Sequence, residues 1–188
     1  MDKLPEHLGG GERRCHNDMG ALKWAIEKWD IKSMVDIGCG RACVVKDAID
    51  LGLRAIGIDG DPGTLHGEYN FTRPDVPFML HDYTDGPAPI GDEYDLAWTV
   101  EFLEHVDEKY MDNYMDTMQK CKYVICTFAR PGDGGHHHVN EQHPGYWTSK
   151  FEEYGFEYDN EATKELRAAS TMTKKFIREN GLVFVRKS

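Results

Sequence analysis

Ser33-Met34-Val35-Asp36-Ile37, followed at once by Gly38-Cys39-Gly40-Arg41-Ala42, is a short apolar run that stops at two closely spaced glycines. The run has the length and composition of a buried strand. The glycines allow a tight turn and let a ligand approach the backbone closely. A helix predicted from about Cys43 to Leu51, closed by Gly52, would aim its N-terminus at the same place, where negative groups are favoured. A lone Gly-x-Gly is common in turns, so its meaning depends on what the neighbouring strand ends carry.

Outward from this turn, short apolar runs alternate with helical patterns. Upstream, Asn17 or Asp18 can cap a helix with an apolar face of Leu22, Trp24 to Ile26 and Trp29. Downstream, strands are expected at Arg54–Ile58, Val76–Leu80, Tyr94–Val100 and Tyr123–Thr127, and Asp61-Pro62 should open a helix. A helix is expected from about Leu103 to Lys120 and another over Tyr146–Tyr154, beyond a Gly/His-rich loop. The chain then reads as a strand at Phe156–Tyr158, a polar helix around Ala162–Arg178, and a strand at Leu182–Val185 after the Asn180-Gly181 turn. Alternation of this kind predicts an α/β fold, Rossmann-like and doubly wound. The expected sheet is mostly parallel and seven-stranded, with helices on both faces and an antiparallel C-terminal strand. Such sheets bind ligands beyond the carboxyl ends of their strands, where strand order reverses.

The 188 residues are the length of one domain, here 1–188, with residues 1–16 (including Gly9-Gly10-Gly11) expected as a flexible lead-in. With 40% hydrophobic and 29% charged residues the composition is that of a soluble globular chain. No apolar run reaches the ~20 residues of a membrane span, and the first residues lack a signal-peptide pattern. Five scattered cysteines without a CxxC pair fit a reducing cytoplasm better than a disulfide framework. The net charge of −11 argues against nucleic acid as the partner. The oligomeric state stays open.

The strand ends now carry the argument. Asp59, followed by Gly60, closes the second strand about 20 residues after the glycines, where a carboxylate can accept from both hydroxyls of a ribose. Asp82 and Tyr83 follow the third strand; Asp82 could accept from an adenine amino group while Tyr83 packs on the ring. A nicotinamide dinucleotide fits poorly, since Gly-x-Gly-x-x-Gly is required and position 43 is Cys43. Together, Val35 to Gly40, Gly57-Ile58-Asp59, His81-Asp82, Tyr94 to Trp98 and Glu101 to Val106 resemble the motifs of class I S-adenosylmethionine (SAM)-dependent methyltransferases, from about Ala21 to the C-terminus. Ala42 departs from the pattern, which often has a third glycine there. The resemblance implies SAM as cofactor, with Gly38 and Gly40 on its backbone, Asp36 near its amino-acid end, Asp59 with Gly60 at the ribose, and Asp82 with Tyr83 at the adenine.

Transfer to a hydroxyl needs a base or a metal to remove its proton, whereas a neutral amine needs less help. Glu101, Glu104 and His105 would share one face of a helix beginning there. His136-His137-His138 lies in the loop after the fifth strand, and His138 is the member expected to join them. Two carboxylates and two imidazoles can hold Mg²⁺, Mn²⁺ or Zn²⁺; alternatively His105 or His138, oriented by Glu101, acts as base without a metal. The Glu-x-x-Glu-His segment is similar to that of quinone-biosynthesis O-methyltransferases and of small-RNA 3′-end ribose methyltransferases. In the latter, two Glu and two His bind a divalent metal. The stretch from His138-Val139-Asn140 through Tyr146-Trp147, Phe151 and Gly155-Phe156 resembles small methyltransferases of saccharide and small-molecule pathways. O-methylation of a polar small molecule or saccharide is therefore expected. N-methylation, RNA ribose methylation and a non-catalytic SAM-binding module are the alternatives. The Arg130–His143 loop, rich in Gly and His, is expected to be a mobile lid.

Overall fold

Five residues around Val35 set the centre of the sheet. In the computed structural model, which describes residues 5–8, 15–64 and 75–187, β1 (Ser33–Ile37) is buried along its whole length. It is flanked by β2 (Arg54–Asp59) on one side and β4 (Tyr94–Thr99) on the other, both parallel to it. The seven strands include β3 (Phe78–Leu80), β5 (Cys121–Cys126), β6 (Phe156–Tyr158) and β7 (Leu182–Arg186), in the order β3-β2-β1-β4-β5-β7-β6. Only β7 runs against its neighbours, so the expected antiparallel terminal strand is observed. Strand order reverses between β1 and β4, and the cleft at their carboxyl ends is where a ligand belongs.

The pleat of β1 feeds two cores. Val35 and Ile37 face one side, packed with Tyr114 and Met115 of α3 (Met111–Met118) and Trp147 and Phe151 of α4 (Pro144–Glu153). Met34 faces the other, with Leu22 of α1 (Met19–Trp29), Val45 and Ala48 of α2 (Cys43–Asp50) and Leu166 of α5 (Asn160–Ala169). A short α6 (Phe176–Asn180) precedes β7. Trp147 is fully buried, so it anchors α4 in this core.

Several elements differ from expectation. The helix expected over Leu103–Lys120 is two 3-10 turns, Leu103–His105 and Glu108–Tyr110, ahead of α3. The Glu104 carbonyl accepts the N–H groups of Val139 (2.9 Å) and Asn140 (3.1 Å), so tertiary bonds take a group that a helix would have used. The helix expected over Ala162–Arg178 splits into α5 and α6. Ser170 leaves helical geometry and donates to Asp18, which also receives the Thr171 N–H (2.8 Å) while capping α1. Asp61 and Pro62 open a 3-10 turn, Pro62–Thr64, and the rest of the expected helix lies outside the described residues. Cys15 and Cys43 are joined in a disulfide, whereas no cysteine pair was expected. Residues 5–8, within the stretch expected as a lead-in, form a turn closed by Leu8 N–H to the Pro5 carbonyl (3.0 Å); Gly9 to Gly11 lie outside the described residues. No described helix is long and apolar enough to cross a membrane.

Candidate active site

The turn after β1 is built by backbone that a side chain would obstruct. Gly38 has φ +73°, and a Cβ there would lie 2.5 Å from the Phe102 ring. Gly40 has φ +49° with open space where its side chain would be. Asp59 stitches this turn to β2: one carboxylate oxygen accepts from Gly40 N–H (2.7 Å), the other from Asp61 N–H (2.9 Å). Burial raises the pKa of Asp59 and outweighs these bonds. Asp36 is buried beside it, and burial followed by the Asp59 charge pushes its carboxyl up to about 8. Gly60 sits beneath Leu8.

At the end of β3, Asp82 is engaged through both oxygens. One accepts Thr84 N–H (2.8 Å), and the other meets His7 Nε2 (2.7 Å). Burial alone would raise the Asp82 pKa, but the bonds from His7 and Thr84 hold it below the usual range. Tyr83 is a core residue whose hydroxyl donates to Thr117 Oγ1 (3.0 Å), although it also lines the cleft.

The Glu/His side of the cleft is organised by strain and tertiary bonds, not by a helix face. Glu101 has φ +58°, a left-handed conformation that costs ~1–2 kcal/mol and persists only where neighbours impose it. Thr127, fully buried past the end of β5, imposes it. Its Oγ1 accepts Glu101 N–H (2.7 Å) and donates to Glu101 Oε1 (3.0 Å). Glu104 is fully buried, and neither carboxylate oxygen has a hydrogen-bond partner among the described residues. Burial, then Glu101, pushes Glu104 up to about 8. One ligand atom each from Glu104, His105 and His138 lies within 4.8 Å of the others. Glu101 stands outside that group. The His105 and His138 rings meet edge-on, 4.9 Å between centroids. Burial, then His138, holds His105 down to about 4, so it is neutral at ordinary pH.

One cavity of about 770 Å³ joins the two halves, lined by Asp36, Asp59, Asp82, Glu101, His105 and His138 among others. Its size is that of a ligand site. A second cavity of about 570 Å³ reaches Glu101 and His138 from the side of Phe128, Lys174 and Asn180. Of the His136–His138 triplet, His136 is exposed and His138 turns inward. The expected lid is laced to the body: besides the two bonds to Glu104, Gln142 N–H reaches the Ala129 carbonyl (3.0 Å), and Glu141 collects Gly132 and Gly134 N–H. Sequence reading missed His7, Phe102, Thr127 and Glu141. Only Thr127 left a signal, as a hydroxyl after a strand end beside an acid after the neighbouring one.

Comparison with known proteins converges on this geometry. Residues 35–125, from β1 to β5, match the methyltransferase domain family. No curated protein matches the chain. Among solved structures, a TehB-like SAM-dependent methyltransferase from Corynebacterium glutamicum superposes with a TM-score of 0.65 at 17% identity, over 91% of this chain and 90% of that one. The methyltransferase domain of the bacterial protein CtHen1-C gives 0.64 at 15%, covering 90% and 96%. Magnesium protoporphyrin IX methyltransferase from Synechocystis, with bound SAM, gives 0.60 at 16%, covering 88% and 76%. The architecture is thus that of the Rossmann-like methyltransferases. The methyltransferase domain match runs from β1 to β5, and the chain shares its fold with solved SAM-dependent methyltransferases. The open space at Gly40, beside Asp59 and the buried Asp36, suits a cofactor such as the SAM held by the Synechocystis enzyme.

Proposed function

We propose that this enzyme methylates a hydroxyl of a polar small molecule or saccharide, with Glu101, Glu104, His105 and His138 surrounding the point of transfer. The observation that carries this reading is Glu104. A carboxylate with no solvent contact and no hydrogen bond to either oxygen among the described residues is costly to bury, and it lies within 4.8 Å of two imidazole nitrogens. A divalent cation held by Glu104, His105 and His138 would satisfy it; Mg²⁺, Mn²⁺ and Zn²⁺ remain the candidates.

The cofactor reading assigns Asp36, Gly38, Gly40, Asp59, Gly60, Asp82 and Tyr83 to SAM. When bound, SAM supplies an activated methyl on a sulfonium, and the protein's task is alignment and removal of the acceptor proton. A bound cation would lower the pKa of a hydroxyl beside it. Glu101, held by Thr127, and His138 line both cavities, so the acceptor can reach these two groups through the second one. A metal-free reading rests on His105, whose Nδ1 donates to the His136 carbonyl (2.9 Å) and leaves Nε2 to take a proton. The net charge of −11 supports a small acceptor over nucleic acid. We also place the enzyme in the cytoplasm: Cys39, Cys121 and Cys126 are free thiols, although the Cys15–Cys43 bond runs against a reducing compartment.

Titration of the protein with Mn²⁺, followed by a chelator, tests the reading. The cation should bind at one site, Glu104→Gln should abolish that binding, and chelation should leave S-adenosylhomocysteine binding intact. Undiminished Mn²⁺ binding by Glu104→Gln, or none by the wild type, removes the metal reading.

A further inference from the structure

We propose that Glu141 is a positioning residue that holds His138 as its Nδ1–H tautomer, so that Nε2 is the atom His138 offers to Glu104 and His105. The inference rests on the functional reading of those three residues but concerns a side chain outside them. Glu141 is fixed from both sides. Its two oxygens accept the N–H groups of Gly132 (2.7 Å) and Gly134 (2.6 Å), and Oε1 also meets His138 Nδ1 at 3.0 Å. An ionised carboxylate can only accept, so the proton of that third bond sits on His138 Nδ1. In the neutral ring Nε2 then carries the lone pair.

Two further features point the same way. The same loop sets His105 by a different device: its Nδ1 donates to the His136 carbonyl at 2.9 Å, and a carbonyl too can only accept. Both rings of the edge-on pair therefore keep Nε2 unprotonated. Gly135 keeps the approach open, since a Cβ built there would collide with the Nε2 edge of His138. The stretch from Gly132 to Glu141 is thus a clamp that selects one tautomer in each of two imidazoles. Partners of this kind typically change ligand affinity roughly 10–100-fold when removed.

Long-range proton–nitrogen NMR correlation of the ¹⁵N-imidazole-labelled protein, at about pH 8 where histidines are neutral, reads each tautomer directly. In the wild type His138 and His105 should both be Nδ1–H. In Glu141→Ala and Glu141→Gln, His138 should shift to a mixed or Nε2–H population while His105 stays Nδ1–H. An Nε2–H His138 in the wild type, or one unmoved by Glu141→Ala, overturns the proposal. So does loss of the His105 tautomer together with that of His138, which would make Glu141 a general loop brace. Mn²⁺ affinity gives a second readout and should fall roughly 10–100-fold in Glu141→Gln. If the wild type binds no Mn²⁺, the metal reading fails alone and the tautomers still decide the role of Glu141.

Discussion

We predict that cofactor binding releases a proton from Asp36. Its carboxyl is buried against Asp59, and these two causes raise its pKa from 3.8 to about 8. At about pH 7 only about a tenth of the free protein then carries it ionised. If the ionised form receives the cofactor's ammonium, apparent affinity follows that fraction. It should rise about tenfold between about pH 6 and about pH 7, with close to one proton released per cofactor bound. Calorimetric titration with S-adenosylhomocysteine in buffers of different protonation enthalpy measures both quantities, and Asp36→Asn should bind weakly and flatten the profile. The same shift has a stability consequence of known sign. A folded pKa above the unfolded one means that stability is full below about pH 4 and is lost progressively as pH rises towards about 8. Cofactor-free Asp36→Asn should therefore be more stable than wild type at about pH 8, on the order of a few kcal/mol. An affinity independent of pH over this range, with no proton released, would refute the assignment of Asp36 to the cofactor.

Phe151 is fully buried and stacked on Phe184 at 4.0 Å between centroids; Phe151→Ala should cost ~3–5 kcal/mol in denaturant unfolding, and a loss below about 1 kcal/mol would mean that this core is not as drawn. His7 occupies the Asp82 oxygen that the adenine amino group would use. Removing it by His7→Ala should tighten S-adenosylhomocysteine binding by a factor of about 2 to 12, the worth of one hydrogen bond; weaker binding would instead make His7 part of the cofactor site.

Local signals in the chain were enough for the architecture. An apolar run ending at Gly38, a carboxylate at the next strand end and further strand–helix alternation specify a doubly wound sheet, because burial on both faces demands such runs and tight turns demand glycine. Asp36, Asp59 and the Glu101–His105 segment were legible as candidate site residues for the same reason: they sit at strand ends, where the fold itself directs ligands. How that segment is shaped was decided elsewhere. A helix starting near Glu101 agrees with local propensity, but Thr127, 26 residues on, bonds Glu101 at both its backbone and its carboxylate. The loop at Val139 and Asn140 takes the Glu104 carbonyl. The break between α5 and α6 likewise depends on Asp18, 152 residues from Ser170. Contacts so distant in sequence leave no periodicity to read, since a donor and its acceptor are related only through the folded sheet. The sequence by itself determined the sheet and which residue types line its edge. Only tertiary structure decided that Glu104 would be buried without a partner among the described residues, that His138 would turn inward from its triplet to meet Glu141, and that His7 would reach Asp82.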